Sequence, residues 1–115
     1  MNKIGKYVAL ALLLLLSGAS GARAVDETGN FVVLGIGGNT CGKYLSEEKP
    51  IKAYYDTWLT GYVTALNRKT PGSANILSKT DLARAMGWIA NYCRENPTEN
   101  FHDAAAHLVT FLLEK

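Results

Sequence analysis

The sequence predicts an all-α fold, a small four-helix bundle of one short helix and three longer ones, with one disulfide. Three observations predict it. Apolar residues recur at helical spacing in three separate stretches. The one strand-like run, Phe31-Val32-Val33-Leu34, has no second run to pair with. The only two cysteines, Cys41 and Cys93, follow an N-terminal export signal.

That signal has three zones. Lys3 and Lys6 precede an apolar run from Val8 to Leu16, and small residues occupy most of Ser17 to Ala24. The order is that of a secretory signal, and the apolar run is about half the ~20 residues a membrane span needs. Ala22-Arg23-Ala24 offers small side chains to both signal-peptidase pockets. Residues 1–24 therefore read as a signal peptide cleaved after Ala24, which places the chain in the periplasm with no membrane span after cleavage.

Residues 25–39 read as an extended, Gly-rich arm, and residues 40–115 as the helical, disulfide-bonded domain. Thr40 is placed to cap a short helix from Cys41 to about Ser46, with Tyr44 and Leu45 facing inward. Pro50 suits the first turn of the second helix, where its missing N–H costs nothing. Along that helix Ile51, Tyr54, Tyr55, Trp58, Leu59, Tyr62 and Leu66 keep a helical period. Gly61 lies inside it at a cost of up to ~1 kcal/mol against alanine, so another helix is expected to approach closely there. The helix ends near Asn67 to Lys69, before the turn-forming Thr70-Pro71-Gly72-Ser73.

The third helix is expected to start near Ser78 to Thr80, with Asp81 in its first turn. Leu82, Met86, Ile89 and Cys93 form its stripe, widened by Trp88 and Tyr92. Asn96-Pro97 ends it, and Thr98 or Asn100 caps a fourth helix. Phe101, Ala105, Leu108 and Leu112 line the inner face of that helix, flanked by Ala104 and Phe111.

Removing the signal changes the charge. Lys3, Lys6 and Arg23 leave and every acid stays, so twelve basic residues become nine against ten acidic. The net charge of +2 for the whole chain becomes about −1 by that count. No concentrated basic patch is left, which argues against nucleic acid or an anionic membrane as partner. So short a mature chain is marginal on a hydrophobic core alone. An even cysteine count in an exported chain makes an intramolecular Cys41–Cys93 bridge the default, contributing roughly 4 kcal/mol through unfolded-state entropy. No histidine or third cysteine stands at ligand spacing to make the pair a metal site.

Motifs that would carry chemistry fail on position. Gly37, four residues, then Gly42-Lys43 imitates a phosphate-binding loop, but Tyr44 stands where Ser or Thr would hold magnesium. His102 and His107 are five apart and fall on different sides of a helix. Glu47-Glu48 and the spread acids Glu95, Glu99 and Asp103 give no glycosidase pair, and Ser46, Ser73 and Ser78 lack a nucleophile-elbow context. No catalytic residue, cofactor or metal is expected. The concentration of helical aromatics, Tyr44, Tyr54, Tyr55, Trp58, Tyr62, Trp88 and Tyr92, points to a core plus one or two surface anchors for a protein partner, and Tyr55 and Trp88 are the candidates.

The run Thr40-Cys41-Gly42-Lys43-Tyr44-Leu45, a helix with Trp58, Gly61 and Ala65-Leu66-Asn67, the pair Tyr92-Cys93 and a last amphipathic helix together resemble the HdeA/HdeB periplasmic acid-stress chaperones. The resemblance covers nearly all of the mature chain. It implies an exported, non-enzymatic module that binds unfolding client proteins in acid, with a second copy of the chain as a further partner. Gly61-Tyr62-Val63, Asn96-Pro97 and the alanine-rich last helix are also similar to the Rap/Tai immunity proteins. That likeness implies a single toxin amidase as the partner instead.

Overall fold

The computed structural model describes residues 25–114; the expected signal peptide and its cleavage site lie outside them. The chain divides between Val32 and Val33 into two units. The described part of the first, residues 25–32, is a local turn. Asp26 Oδ1 accepts from Thr28 Oγ1 at 2.7 Å, Asn30 N at 2.8 Å and Thr28 N at 2.9 Å, and these bonds, that of the Thr28 hydroxyl foremost, hold its carboxyl below the usual range.

The second unit holds a 3₁₀ turn, Gly35–Gly38, and four helices: α1, Cys41–Ser46; α2, Lys49–Asn67; α3, Leu82–Glu95; and α4, Phe101–Leu113. No strand occurs among the described residues, only an isolated antiparallel bridge between Thr40 and Asn100. The end of the expected extended arm is thus a tight turn. Gly35 takes φ +72°, open to glycine at little cost, and Gly37 lies under the Trp58 indole, where a Cβ would collide with the six-membered ring. Trp58 Nε1 donates to the carbonyl of Leu34 at 2.9 Å and fastens the turn to α2.

The caps explain where each helix begins. Thr40 Oγ1 accepts from Lys43 N at 3.1 Å at the start of α1, and Pro50 occupies the first turn of α2. α3 begins at Leu82, later than expected, because Asp81 is its cap and not a first-turn residue; its Oδ1 accepts from Arg84 N at 2.8 Å. Of the two candidate caps for α4, Asn100 is the one used. Its side chain accepts from Asp103 N at 2.8 Å, and Asp103 accepts from Asn100 N at 3.2 Å, a reciprocal capping box.

The connection before α3 is ordered by its own amides. Asn67 Oδ1 accepts from Ile76 N at 2.8 Å and Asn75 Oδ1 from Leu77 N at 3.0 Å. These bonds hold Ile76 in the core. Tyr44, Tyr55, Leu59, Val63, Met86, Ile89, Phe101, Ala105 and Leu108 complete most of that core, and no polar or charged residue is buried among the described residues.

Cys41 and Cys93 form the disulfide, joining the first residue of α1 to the last turn of α3, with both residues fully buried. Backbone bonds stitch the same junction. Cys41 N donates to Glu99 O at 2.7 Å, Gly42 N to Pro97 O at 2.9 Å and Phe101 N to Asn39 O at 2.8 Å. α1 is too short to persist alone, and this seam accounts for its position. Gly61 departs from expectation: it is exposed, and nothing lies within 4 Å of an added Cβ, so no helix approaches it.

Candidate functional site

Two aromatic assemblies dominate the domain. In the inner one, Tyr44, Tyr55 and Phe101 pack with ring centroids 4.8 Å, 4.9 Å and 5.1 Å apart in tilted or edge-on contact. Trp58 adds its ring edge-on to Phe101 at 5.8 Å and stacks on Tyr62 at 5.3 Å. His102 meets the rings of Trp58 and Tyr62 at 6.1 Å and 5.4 Å, nearly perpendicular to both. Burial pushes the phenols of Tyr44 and Tyr62 above their usual range.

Tyr55 belongs to this inner cluster, which corrects its expected place as a surface anchor. It is 0% exposed, and its hydroxyl accepts from Asn39 Nδ2 at 3.1 Å. The reason is register. Tyr55, Leu59 and Val63 stand four apart on the buried face of α2, so adjacent Tyr54 is turned outward and is 64% exposed. Tyr54 is the surface aromatic the sequence reading missed. The spacing of Leu59 and Val63 from each member of the Tyr54-Tyr55 pair was the available signal.

The outer assembly is a ladder. Trp88 is partly buried and lies near-parallel between Tyr92 at 5.7 Å and Phe111 at 5.5 Å, and Tyr92 stacks in turn on His107 at 4.9 Å. Residues 88 and 92 of α3 and 107 and 111 of α4 are each four apart, so two helical rows meet ring on ring. The Tyr92 hydroxyl donates to Glu99 Oε2 at 2.7 Å. Partial desolvation, then that bond, pushes its phenol up to about 12. The two histidines face different helices, as their spacing predicts.

Apolar surface lies at Leu34, 77% exposed, and on α2 at Ile51, 39% exposed, and Tyr54. Charged residues flank it at Glu47, Glu48, Lys49, Lys52 and Asp56. Lys52 Nζ stands 5.5 Å from the Tyr44 ring centroid, Lys43 pairs with Glu47 at 3.7 Å, and burial raises the Asp56 carboxyl above its usual range.

The residues that imitate a phosphate loop are otherwise engaged. The amides of Cys41 and Gly42 serve the seam, those of Lys43 and Tyr44 serve the Thr40 cap, and Gly37 is packed under Trp58. The amides of residues 41–44 are therefore not free to cradle an anion. Among the described residues no group of three or more His, Cys, Asp or Glu side chains is placed to hold a metal ion, and no helix is long and apolar enough to cross a membrane.

A short helix tied by a buried disulfide to a longer one, with aromatic helices around it, is the arrangement the sequence resemblance implied. The model of the HdeA/HdeB family matches residues 7–103. The chain belongs to the HdeA/HdeB family. No curated protein and no solved structure matches it, and the likeness to Rap/Tai immunity proteins finds no support. The HdeA/HdeB match takes in both disulfide cysteines, all of α1 to α3 and the capping box of α4. It stops at Asp103, so the rungs that α4 gives to the aromatic ladder, His107 and Phe111, lie beyond it.

Proposed function

We propose that this member of the HdeA/HdeB family is a periplasmic acid-stress chaperone, a non-enzymatic protein that binds unfolding clients through apolar helix faces uncovered in acid. Family membership over residues 7–103 carries the reading. The physical properties of the domain support it. With the signal removed and every carboxyl protonated, nine Lys and Arg and two His give a charge of about +11 by count, against about −1 at neutral pH. Self-repulsion of that size loosens a small fold.

Acid also weakens specific attachments. The starts of α3 and α4 rest on carboxylate acceptors, Asp81 and Asp103, which the positive end of the helix dipole favours as anions. α3 and α4 are the helices whose aromatic ladder would then open. The disulfide survives acid and keeps α1 on α3. The outcome is a tethered chain with exposed rings and not a fully extended one, with surface for a client's apolar segments.

The test uses the purified protein and two or three unrelated proteins that aggregate in acid. Light scattering at pH ~2–3, below the carboxylate range, should fall in proportion to added protein, with no such protection at pH 7. Binding to one stoichiometric partner at neutral pH, without protection of any acid-denatured protein, overturns the reading.

A further inference from the structure

Residues 70–80 and the last turn of α4 enclose a cleft of about 510 Å³, within the size range of small-molecule sites. α4 gives it only apolar side chains, Leu112 and Leu113 among them, and the loop adds Ile76. Beside Pro71 and Gly72, the polar part of the loop lining is Ser73, Ser78, Lys79 and Thr80. Among the described residues Lys79 is the one charged side chain of the lining. Among the described residues Lys79 enters no ion pair, and the hydroxyls of Ser73 and Thr80 make no hydrogen bond.

The half of the loop from Asn75 to Thr80 is tied from within. Asn67 and Asn75 hold the amides of Ile76 and Leu77, and Thr80 N donates to Leu77 O at 3.0 Å. Binding would order little of that half that is not already ordered.

We propose that this cleft binds a small amphiphilic carboxylate, a hydrocarbon chain ending in one acid group. The chain lies against Ile76, Leu112 and Leu113, and the carboxylate takes the Lys79 ammonium with hydroxyl donors beside it. Both halves of the ligand follow from the lining: an apolar wall wants hydrocarbon, and a lone cation beside spare hydroxyls wants an anion. The cleft shares Phe111 with the aromatic ladder, but binding at neutral pH, before any acid opening, does not depend on the chaperone reading.

The experiment is a titration of the purified protein at neutral pH with decanoate, kept below its micelle concentration, followed by amide NMR shifts. Decanol and decyltrimethylammonium serve as the uncharged and cationic controls. Decanoate should shift amides at residues 73–80 and 112–113 with saturation, decanol should bind more weakly and the cation not at all. Lys79→Gln, at an exposed position, should keep the melting temperature and weaken decanoate about fivefold, the upper range for one solvent-exposed charge pair. Lys79→Arg should restore most of the affinity. Shifts centred on Ile51 and Tyr54, equal affinity for decanol and decanoate, or unchanged affinity in Lys79→Gln would each overturn the assignment.

Discussion

Removing the disulfide by the double substitution Cys41→Ala, Cys93→Ala should bring the domain close to unfolding at neutral pH. The bridge closes a loop with a sequence separation of 52, and the chain-entropy relation for that length gives about 4 kcal/mol at 25 °C. Both sulfurs are fully buried, and losing them adds about 1 kcal/mol of lost burial. Domains of ordinary stability have about 5–15 kcal/mol in total, and one this small is at the low end. Urea denaturation followed by far-ultraviolet circular dichroism and tryptophan fluorescence measures the loss. With a slope of ~1–2 kcal/mol per molar, the combined loss of about 5 kcal/mol should lower the midpoint by roughly 2.5–5 M. Reduction of the native protein should reproduce most of that fall. A stability loss under about 1 kcal/mol would refute the reasoning, because it would mean that the backbone seam and the aromatic contacts hold α1 on α3 without the bridge.

Gly37→Ala should cost about 1–3 kcal/mol, because the new methyl meets the Trp58 ring and its displacement also threatens the bond to Leu34; a lower urea midpoint with altered tryptophan emission is expected. Gly61→Ala should stabilise by about 0.5–1 kcal/mol, since the site is helical, exposed and sterically open, and an unchanged or lower melting temperature would contradict that. Asp56→Asn should raise stability at pH 7, with the difference from the native protein shrinking as pH falls through the carboxylate range. The sign follows from the raised carboxyl: the folded state takes up its proton first, so the stability this group contributes is greatest below the unfolded value of 3.8 and is lost as pH rises through the folded one. Because the variant is at least as stable at every pH, its acid midpoint should stay where it is or move slightly lower, and a midpoint that moves to higher pH would contradict the sign. The Asp26 turn has the opposite sign: its bonds favour the folded turn above 3.8 and lose that effect as pH falls through its lowered value.

The three longer helices were legible because each carries a stripe at helical period, and the starts were marked by a capping side chain at α1, α3 and α4 and by Pro50 at α2. The bridge was legible because two cysteines in an exported chain leave one pairing. What escaped depended on contacts distant in sequence. Ile76 sits in a stretch that reads as turn, and its burial depends on Asn67 accepting its amide from nine positions away. Gly37 gave no local sign that Trp58 would lie over it, so the end of the arm read as extended. Gly61 read as a contact point because small residues often mark close helices, yet α2 presents that side to solvent. Tyr54 and Tyr55 were a choice between neighbours one helical step apart, decided by whether the four-residue spacing to Leu59 and Val63 starts from the first or the second.

The seam at α1 has a consequence for the order in which the fold can be made. The residues that receive the amides of Cys41 and Gly42, and the cysteine that pairs with Cys41, lie between 93 and 99. As the chain emerges from its N-terminus, the first helix can meet α2 through Tyr44 and Tyr55, but its backbone seam and its disulfide partner come only after most of the rest has followed. Cys41 stays a thiol over that interval, and any enzyme that oxidises it early must hold it as a mixed disulfide. Early contacts at the leading end are thus local or between side chains, and the covalent closure of the fold waits for the third helix.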